Sequence, residues 1–259
     1  MVQKVNYLWR LIGTGIAFAS FSAGGALMTV TAFPLVALLS RSEEKRTERT
    51  RHLICLTFRL FVFCLRAWRI IAFSVEGKER LADGKGRLVV ANHPTLLDVV
   101  LLVSMMPKAQ CVVKGELWSN RFLGGVMRAA GYVRNDGDPE STLEQCRAAL
   151  ALGQDIVIFP EGTRSVPGEA LRFQRGFANI AALAPCDLQL VTITCHPSTL
   201  TKGSRWYDIP PQKPVFTISV GEELEIEPYI RQDPRSKVVR RLTRDLEAYY
   251  SGKLAYERS

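Results

Sequence analysis

Two short polar clusters interrupt apolar runs in this 259-residue sequence. In "RLVVANHPTLLDVVLL" (87–102) a strand-like run breaks off into Asn92-His93-Pro94, and Asp98 follows inside a second apolar run. In "DIVIFPEGTRS" (155–165) another such run ends in Glu161-Gly162-Thr163-Arg164. A carboxylate bonded to one imidazole nitrogen fixes the tautomer and stabilises the imidazolium, leaving the other nitrogen free to take a proton. His93 and Asp98 can meet in this way if the chain turns between them and Asp98 opens a helix. No serine lies in a GxSxG-type elbow, so the proton would come from the substrate. A hydroxyl deprotonated by His93 can attack an activated acyl group directly. A turn cap and a helix cap would use the same two residues without any chemistry.

The second cluster supplies a glycine, a hydroxyl and a guanidinium at a strand end. These are the ingredients of an anion site: backbone donors, close approach, and a fork that fits phosphate. Lys114, leaving another strand at "VVKGEL", adds a second cation; a helix cap beside a surface arginine is the plainer alternative. A metal centre is not expected: His196 is the only plausible third histidine and has no helical partner. The six cysteines show no CxxC pair, as expected for buried free thiols in a reducing compartment.

The elements that must position these residues follow from periodicity. Runs at 87–92, 109–114, 155–160, 188–195 and 215–221 read as strands. Stretches at 96–106, 119–130, 139–152, 174–184 and 234–250 read as helices, the third capped by Asp138 with Pro139 in its first turn. This alternation predicts an α/β fold with a mixed, mostly parallel sheet flanked by helices, whose chemistry gathers at strand ends. Residues 73–259 are expected to form that domain.

Residues 1–72 predict a membrane anchor. The segment 11–40 carries no charged side chain and exceeds the roughly 20 residues a membrane-spanning helix needs. Residues 51–71 place Arg51, His52, Arg59, Arg66 and Arg69 within an arc of about 100°, the pattern of an amphipathic basic helix lying beside anionic lipid. A charged connector, 41–51, separates the two. It carries more basic residues than the Lys4 and Arg10 flank, which favours the cytoplasmic side for it by the positive-inside rule, although both flanks are basic. With Gly24-Gly25 near the middle of 11–40 and Pro34 beyond, a run that dips into one leaflet and returns is the open alternative. The net charge of +9 fits an anionic partner, and the apolar N-terminus favours membrane lipid over nucleic acid.

With these blocks together, the chain resembles the glycerophospholipid (lysophospholipid) acyltransferases, especially the bacterial 1-acyl-glycerol-3-phosphate acyltransferases. Asn92-His93 with Asp98 resembles the family's NHxxxxD block, and residues 159–165 resemble its FPEGTRS block. Lys114-Gly115-Glu116-Leu117 is similar to its K-x-E-L element, and "RFQRGFANIA" (172–181) to the helix start that follows. The resemblance implies His93 as base, Asp98 as its orienter, and Lys114, Glu161, Gly162, Thr163 and Arg164 around the acceptor phosphate. Asn92 and Arg134 are further candidates for the acceptor pocket. It implies an acyl-CoA or acyl carrier protein as donor substrate, a lysophospholipid acceptor, no cofactor, and a bacterial inner-membrane location with the catalytic domain facing the cytoplasm. The family's G-x-I-F-I-D-R block reads Gly131-Tyr132-Val133-Arg134-Asn135-Asp136 here, and "VTITCHPSTL" (191–200) replaces its V-P-V-type strand. The acceptor headgroup therefore stays open, with a lyso-aminolipid or specialised lipid as the alternative. A non-catalytic anionic-lipid-binding protein and a lipid hydrolase are the rivals from other classes.

Overall fold

The computed structural model describes residues 2–81, 84–231 and 233–256. Its strands are β1 (Ala72–Glu76), β2 (Leu88–Ala91), β3 (Gln110–Lys114), β4 (Val133–Asn135), β5 (Ile156–Ile158), β6 (Leu188–His196) and β7 (Val215–Leu224). The α-helices are α1 (Val2–Val30), α2 (Ala32–Leu38), α3 (Glu43–Ala67), α4 (Asp98–Val103), α5 (Gly115–Trp118), α6 (Gly124–Ala130), α7 (Pro139–Ala151), α8 (Gly176–Leu183), α9 (Glu227–Ile230) and α10 (Arg235–Tyr256). The strands form one sheet in the order β1-β7-β6-β2-β5-β3-β4. Every neighbouring pair is parallel except β6–β7. The expected mixed, mostly parallel α/β sheet is what forms.

The central strand shows why. Leu88, Val89, Val90 and Ala91 are all buried, as a parallel strand covered on both faces requires. Their side chains alternate between two cores. Val89 and Ala91 join Ile54, Leu102 and Phe216 under α3 and α4, whereas Leu88 and Val90 join Phe177, Leu242 and Tyr250 under α8 and α10. Asp138 caps α7 as expected, accepting from the Glu140 and Ser141 backbone N–H groups.

The N-terminal helices depart from expectation in extent and orientation. Gln3–Leu39 is long and apolar enough to cross a membrane. The helix begins well before residue 11, because Arg10 is drawn inward rather than left at a flank: it is 1% exposed. Its guanidinium donates to the carbonyls of Pro210, Pro211 and Gln212 and to Asn6 Oδ1. The charged connector is not a linker either. Ser42 caps a helix there, Glu43 and Glu44 stand in its first turn where acidic residues oppose the helix dipole, and α3 runs from 43 to 67 instead of 51 to 71.

The arginine face of α3 is buried only at Arg51: His52, Arg59, Arg66 and Arg69 are exposed. Arg51 is buried, donating to the Ala130 carbonyl (2.8 Å) and Gln154 Oε1 (2.8 Å), and Arg59 donates to the Ser104 carbonyl (2.7 Å). These orphan carbonyls after α4 and α6 need donors, and the long arginine side chains reach them. Leu56, Leu60, Phe63 and Trp68 are exposed as well, as are Leu8, Ile12, Ile16, Leu27 and Leu35 on α1 and α2.

Candidate active site

Four parallel strands deliver their carboxyl ends to one edge of the sheet. β2 leads into Asn92-His93, β5 into Phe159–Ser165, β3 ends on Lys114, and β6 leads into residues 197–201. The turn after β2 brings Asp98, first residue of α4, back beneath the ring: His93 Nδ1 lies 2.8 Å from Asp98 Oδ2. The same carboxylate accepts from the Thr95 backbone N–H (2.8 Å) and the Thr95 hydroxyl (2.6 Å). Asp98 is 0% exposed, and burial pushes its carboxyl up against the opposing pull of the bonds from His93 and Thr95. Held this way, Asp98 is placed to accept a hydrogen bond from Nδ1–H, the tautomer that leaves Nε2 as the basic nitrogen. The His93 side chain is 16% exposed and its ring stacks on Phe159, centroids 4.2 Å apart.

The turn after β2 is tied to the loop after β5 by two backbone anchors. The His93 N–H donates to Glu161 Oε1 (2.8 Å), and the Ser165 N–H donates to the His93 carbonyl (2.7 Å). Glu161 therefore supports the histidine rather than an incoming anion. Burial raises its carboxyl pKa, and the bond from His93 N–H works in the opposite direction. Gly162 closes the turn by donating to the Phe159 carbonyl (3.0 Å) with φ of 67°, a conformation costly for a residue with Cβ. Asn92 is a correction to expectation: its amide donates to the Ile193 carbonyl (2.8 Å) and accepts from the Ile193 N–H (2.7 Å). Buried with both ends occupied, it pins β2 to β6 and does not face an acceptor pocket.

The cations are arranged unevenly. Arg164 Nη1 donates to the Leu200 (3.0 Å) and Thr201 (2.9 Å) carbonyls, which leaves Nη2 and Nε for a ligand. Lys114 is exposed at the end of β3 and makes no ion pair among the described residues. It lies two strands from β2, about 10 Å across the sheet by the usual strand spacing. Arg134 is paired with Asp136 (3.3 Å) beside the Trp118 ring, on the edge strand β4. Thr163 is half-buried beside Arg164, and His196 is exposed at the end of β6.

Beside His93 an apolar cavity of about 330 Å³ opens between the sheet and the N-terminal helices. Leu96 and Leu97 of the His93–Asp98 turn line it with Leu200, Phe21 and Phe18 of α1, and Phe58 and Phe61 of α3. Sequence reasoning did not find this cavity, nor Thr95, nor Phe159 as the ring under His93. Tyr250, which donates to the Val90 carbonyl (2.6 Å) and accepts from the Val191 N–H (3.2 Å) beneath the site, was also missed. A hydroxyl three residues before Asp98 was the one local signal available; the others depend on contacts distant in sequence.

A family model described as Acyltransferase matches residues 72–197. A 1-acyl-sn-glycerol-3-phosphate acyltransferase of Helicobacter pylori is 35% identical over 105 residues, covering 38% of this chain and 44% of that protein. One of Cocos nucifera is 33% identical over 115 residues, covering 42% of this chain and 36% of that protein. The chain thus spans less than half the length of these relatives. The crystal structure of the 1-acyl-sn-glycerophosphate acyltransferase of Thermotoga maritima shares the fold, with a TM-score of 0.67 at 20% identity over 95% of this chain and 97% of that one. The Acyltransferase family model thus lies over both polar clusters, the chain is similar there to 1-acyl-sn-glycerol-3-phosphate acyltransferases, and the fold alone extends the likeness along nearly the whole chain.

Proposed function

We propose that the protein is a membrane-attached O-acyltransferase that moves a fatty acyl group from a thioester to the free hydroxyl of lysophosphatidic acid, giving phosphatidic acid. The observation that carries this reading is the His93–Asp98 pair at 2.8 Å, set at the carboxyl edge of the sheet beside an apolar cavity. His93 Nε2 takes the proton of the acceptor hydroxyl as its oxygen bonds to the thioester carbonyl carbon. The carbon–sulfur bond then breaks, and the imidazolium returns the proton to the leaving thiolate. Asp98 stabilises the imidazolium throughout, and no covalent enzyme intermediate, metal or cofactor enters the scheme.

The remaining roles follow from position. The acyl chain occupies the apolar cavity, and Arg164 Nη2 and Nε with Lys114 hold the acceptor phosphate. Thr163 and the turn at Gly162 lie at that end. Acyl-CoA and acyl carrier protein are both suitable donors. The exposed apolar face of α1, α2 and α3 seats in the membrane, the two regions acting as anchor (1–72) and catalytic domain (73–259). The catalytic domain is read as lying on the cytoplasmic face of a bacterial inner membrane, as the family resemblance implies.

A second reading keeps the chemistry and changes the acceptor to a lyso-lipid without phosphate. It is favoured by the partial engagement of Arg164 with loop carbonyls and by the Arg134–Asp136 pairing. The test offers purified protein radiolabelled palmitoyl-CoA, or the acyl carrier protein thioester, with lysophosphatidic acid or phosphate-free lyso-lipids. Phosphatidic acid made by wild type and not by His93→Ala is the expected result. Transfer only to phosphate-free acceptors would move the assignment to the second reading. No transfer from either donor to any acceptor would sink both.

A further inference from the structure

Among the described residues only Arg69 and Leu200 have a positive φ without being glycine, and Leu200 (φ 51°) lies beside the site. The left-handed region crowds Cβ, so a leucine stays there only where its surroundings over-determine the backbone. Two donors supply that restraint: the Leu200 carbonyl accepts from Arg164 Nη1 (3.0 Å) and from the Leu96 N–H (3.1 Å). Arg164 Nη1 also holds the next carbonyl, Thr201 (2.9 Å). The Leu200 side chain is buried and forms part of the apolar cavity wall with Leu96 and Leu97.

We propose that Arg164 is a specificity-determining residue for the acyl chain: through Leu200 it fixes the cavity wall beside His93 and couples that wall to the anionic group of the acceptor. This rests on the acyltransferase reading above. The guanidinium is planar, so an anion held by the free Nη2–Nε edge leaves Nη1 on the two carbonyls and fixes the orientation of the whole group. Anion binding therefore orders Leu200, and an acyl chain packed on Leu200 orders Arg164 in return. The two effects are one coupling and must be equal in size when read as binding. A lysine keeps the charge but offers a single point of attachment, so it cannot serve the anion and both carbonyls in one geometry.

The experiment uses the full chain in nanodiscs and compares kcat/KM for lauroyl-, palmitoyl- and stearoyl-CoA with lysophosphatidic acid. Arg164→Lys is expected to raise the acceptor KM and also to change the ratio between chain lengths by about tenfold, the scale on which an apolar pocket discriminates by size. Leu200→Gly accepts the same φ and removes the wall side chain, and it is expected to shift that ratio in the same direction. In a separate binding measurement, glycerol 3-phosphate should tighten a fluorescent fatty acid probe on wild type and not on Arg164→Lys. Chain-length ratios unchanged in both variants, with only the acceptor KM raised, would overturn the proposal. If wild type transfers no acyl group, the enzymatic reading itself has failed. The probe measurement then decides the coupling alone: tightening by the anion in wild type supports it, and its absence refutes it.

Discussion

Buried charge is gathered at both ends of the sheet, on opposite principles. At the amino end, Arg87 bonds to Asp155 (3.2 Å) and Glu223 (2.8 Å), and Asp155 also accepts from the Lys85 and Arg87 backbone N–H groups. Burial alone would pull the Arg87 guanidinium down, but the bonds to Glu223 and Asp155 outweigh it and hold it up. At the carboxyl end, buried Asp98 and half-buried Glu161 lie beside His93 with hydrogen-bond donors but no permanent cation in contact, and burial pushes both carboxyls up. A closed ion network resists titration and braces the fold. An acid pair lacking a fixed countercharge answers to whatever proton or ligand arrives, which is the signature of a working site.

Substitutions break that contrast in graded ways. The largest effect is expected from His93→Ala: acyl transfer should fall by about 10⁴-fold with little change in thermal unfolding, because a single half-open ring is lost. An unchanged rate in a folded variant would remove His93 as the base. Asp98→Asn should lower kcat by about 10³-fold, since the amide can no longer accept the Nδ1 proton's bond while keeping both Thr95 donors satisfied; retained kcat would remove Asp98 as orienter. At the other end, Arg87→Met should act on stability instead, costing about 3–5 kcal/mol in denaturant unfolding because it leaves Asp155 and Glu223 without their cation, while kcat per folded molecule holds. A rate loss larger than the stability loss would mean the two ends are not separate.

The smallest effect sharpens the comparison by pH. The Glu161 carboxyl is raised above its ordinary value, so the unfolded chain ionises first as pH rises and the folded state loses stability through that window. Glu161→Gln keeps an acceptor for the His93 N–H without the charge. Its unfolding temperature should therefore match wild type in acid and rise above it at neutral pH. Equal temperatures at both pH values would show that the carboxyl is not strained by burial.

The sequence was most informative where local chemistry decides the outcome. The apolar strands, the Asp138 cap and the His93–Asp98 turn each depend on neighbours within a few residues, and all were legible. β1 and β4 were not: β1 is an edge strand only partly buried, and β4 has three residues between a left-handed Gly131 and a polar loop. Among the site residues, the types were legible and the partners were not. Asn92 looked like a pocket residue until β6 arrived to take both ends of its amide, and Glu161 looked like part of the anion loop until the His93 N–H was found on it. Arg51 lies on a face that periodicity marks as exposed and is nevertheless buried, because helix period reports a stripe but not which part of it the rest of the chain needs.

The Arg10 latch places a constraint on how the molecule is made. Its three carbonyl partners lie 200 to 202 residues downstream. At a synthesis rate of about 5–20 residues per second, they emerge roughly 10–40 s after the helix that needs them. Throughout that interval the guanidinium near the start of α1 has Asn6 but not its distant acceptors. Its remaining acceptors exist only once residues 210–212 have been made. The order of translation thus works as a delay: the packing of α1 onto the rest of the molecule is completed only after those late residues have been made.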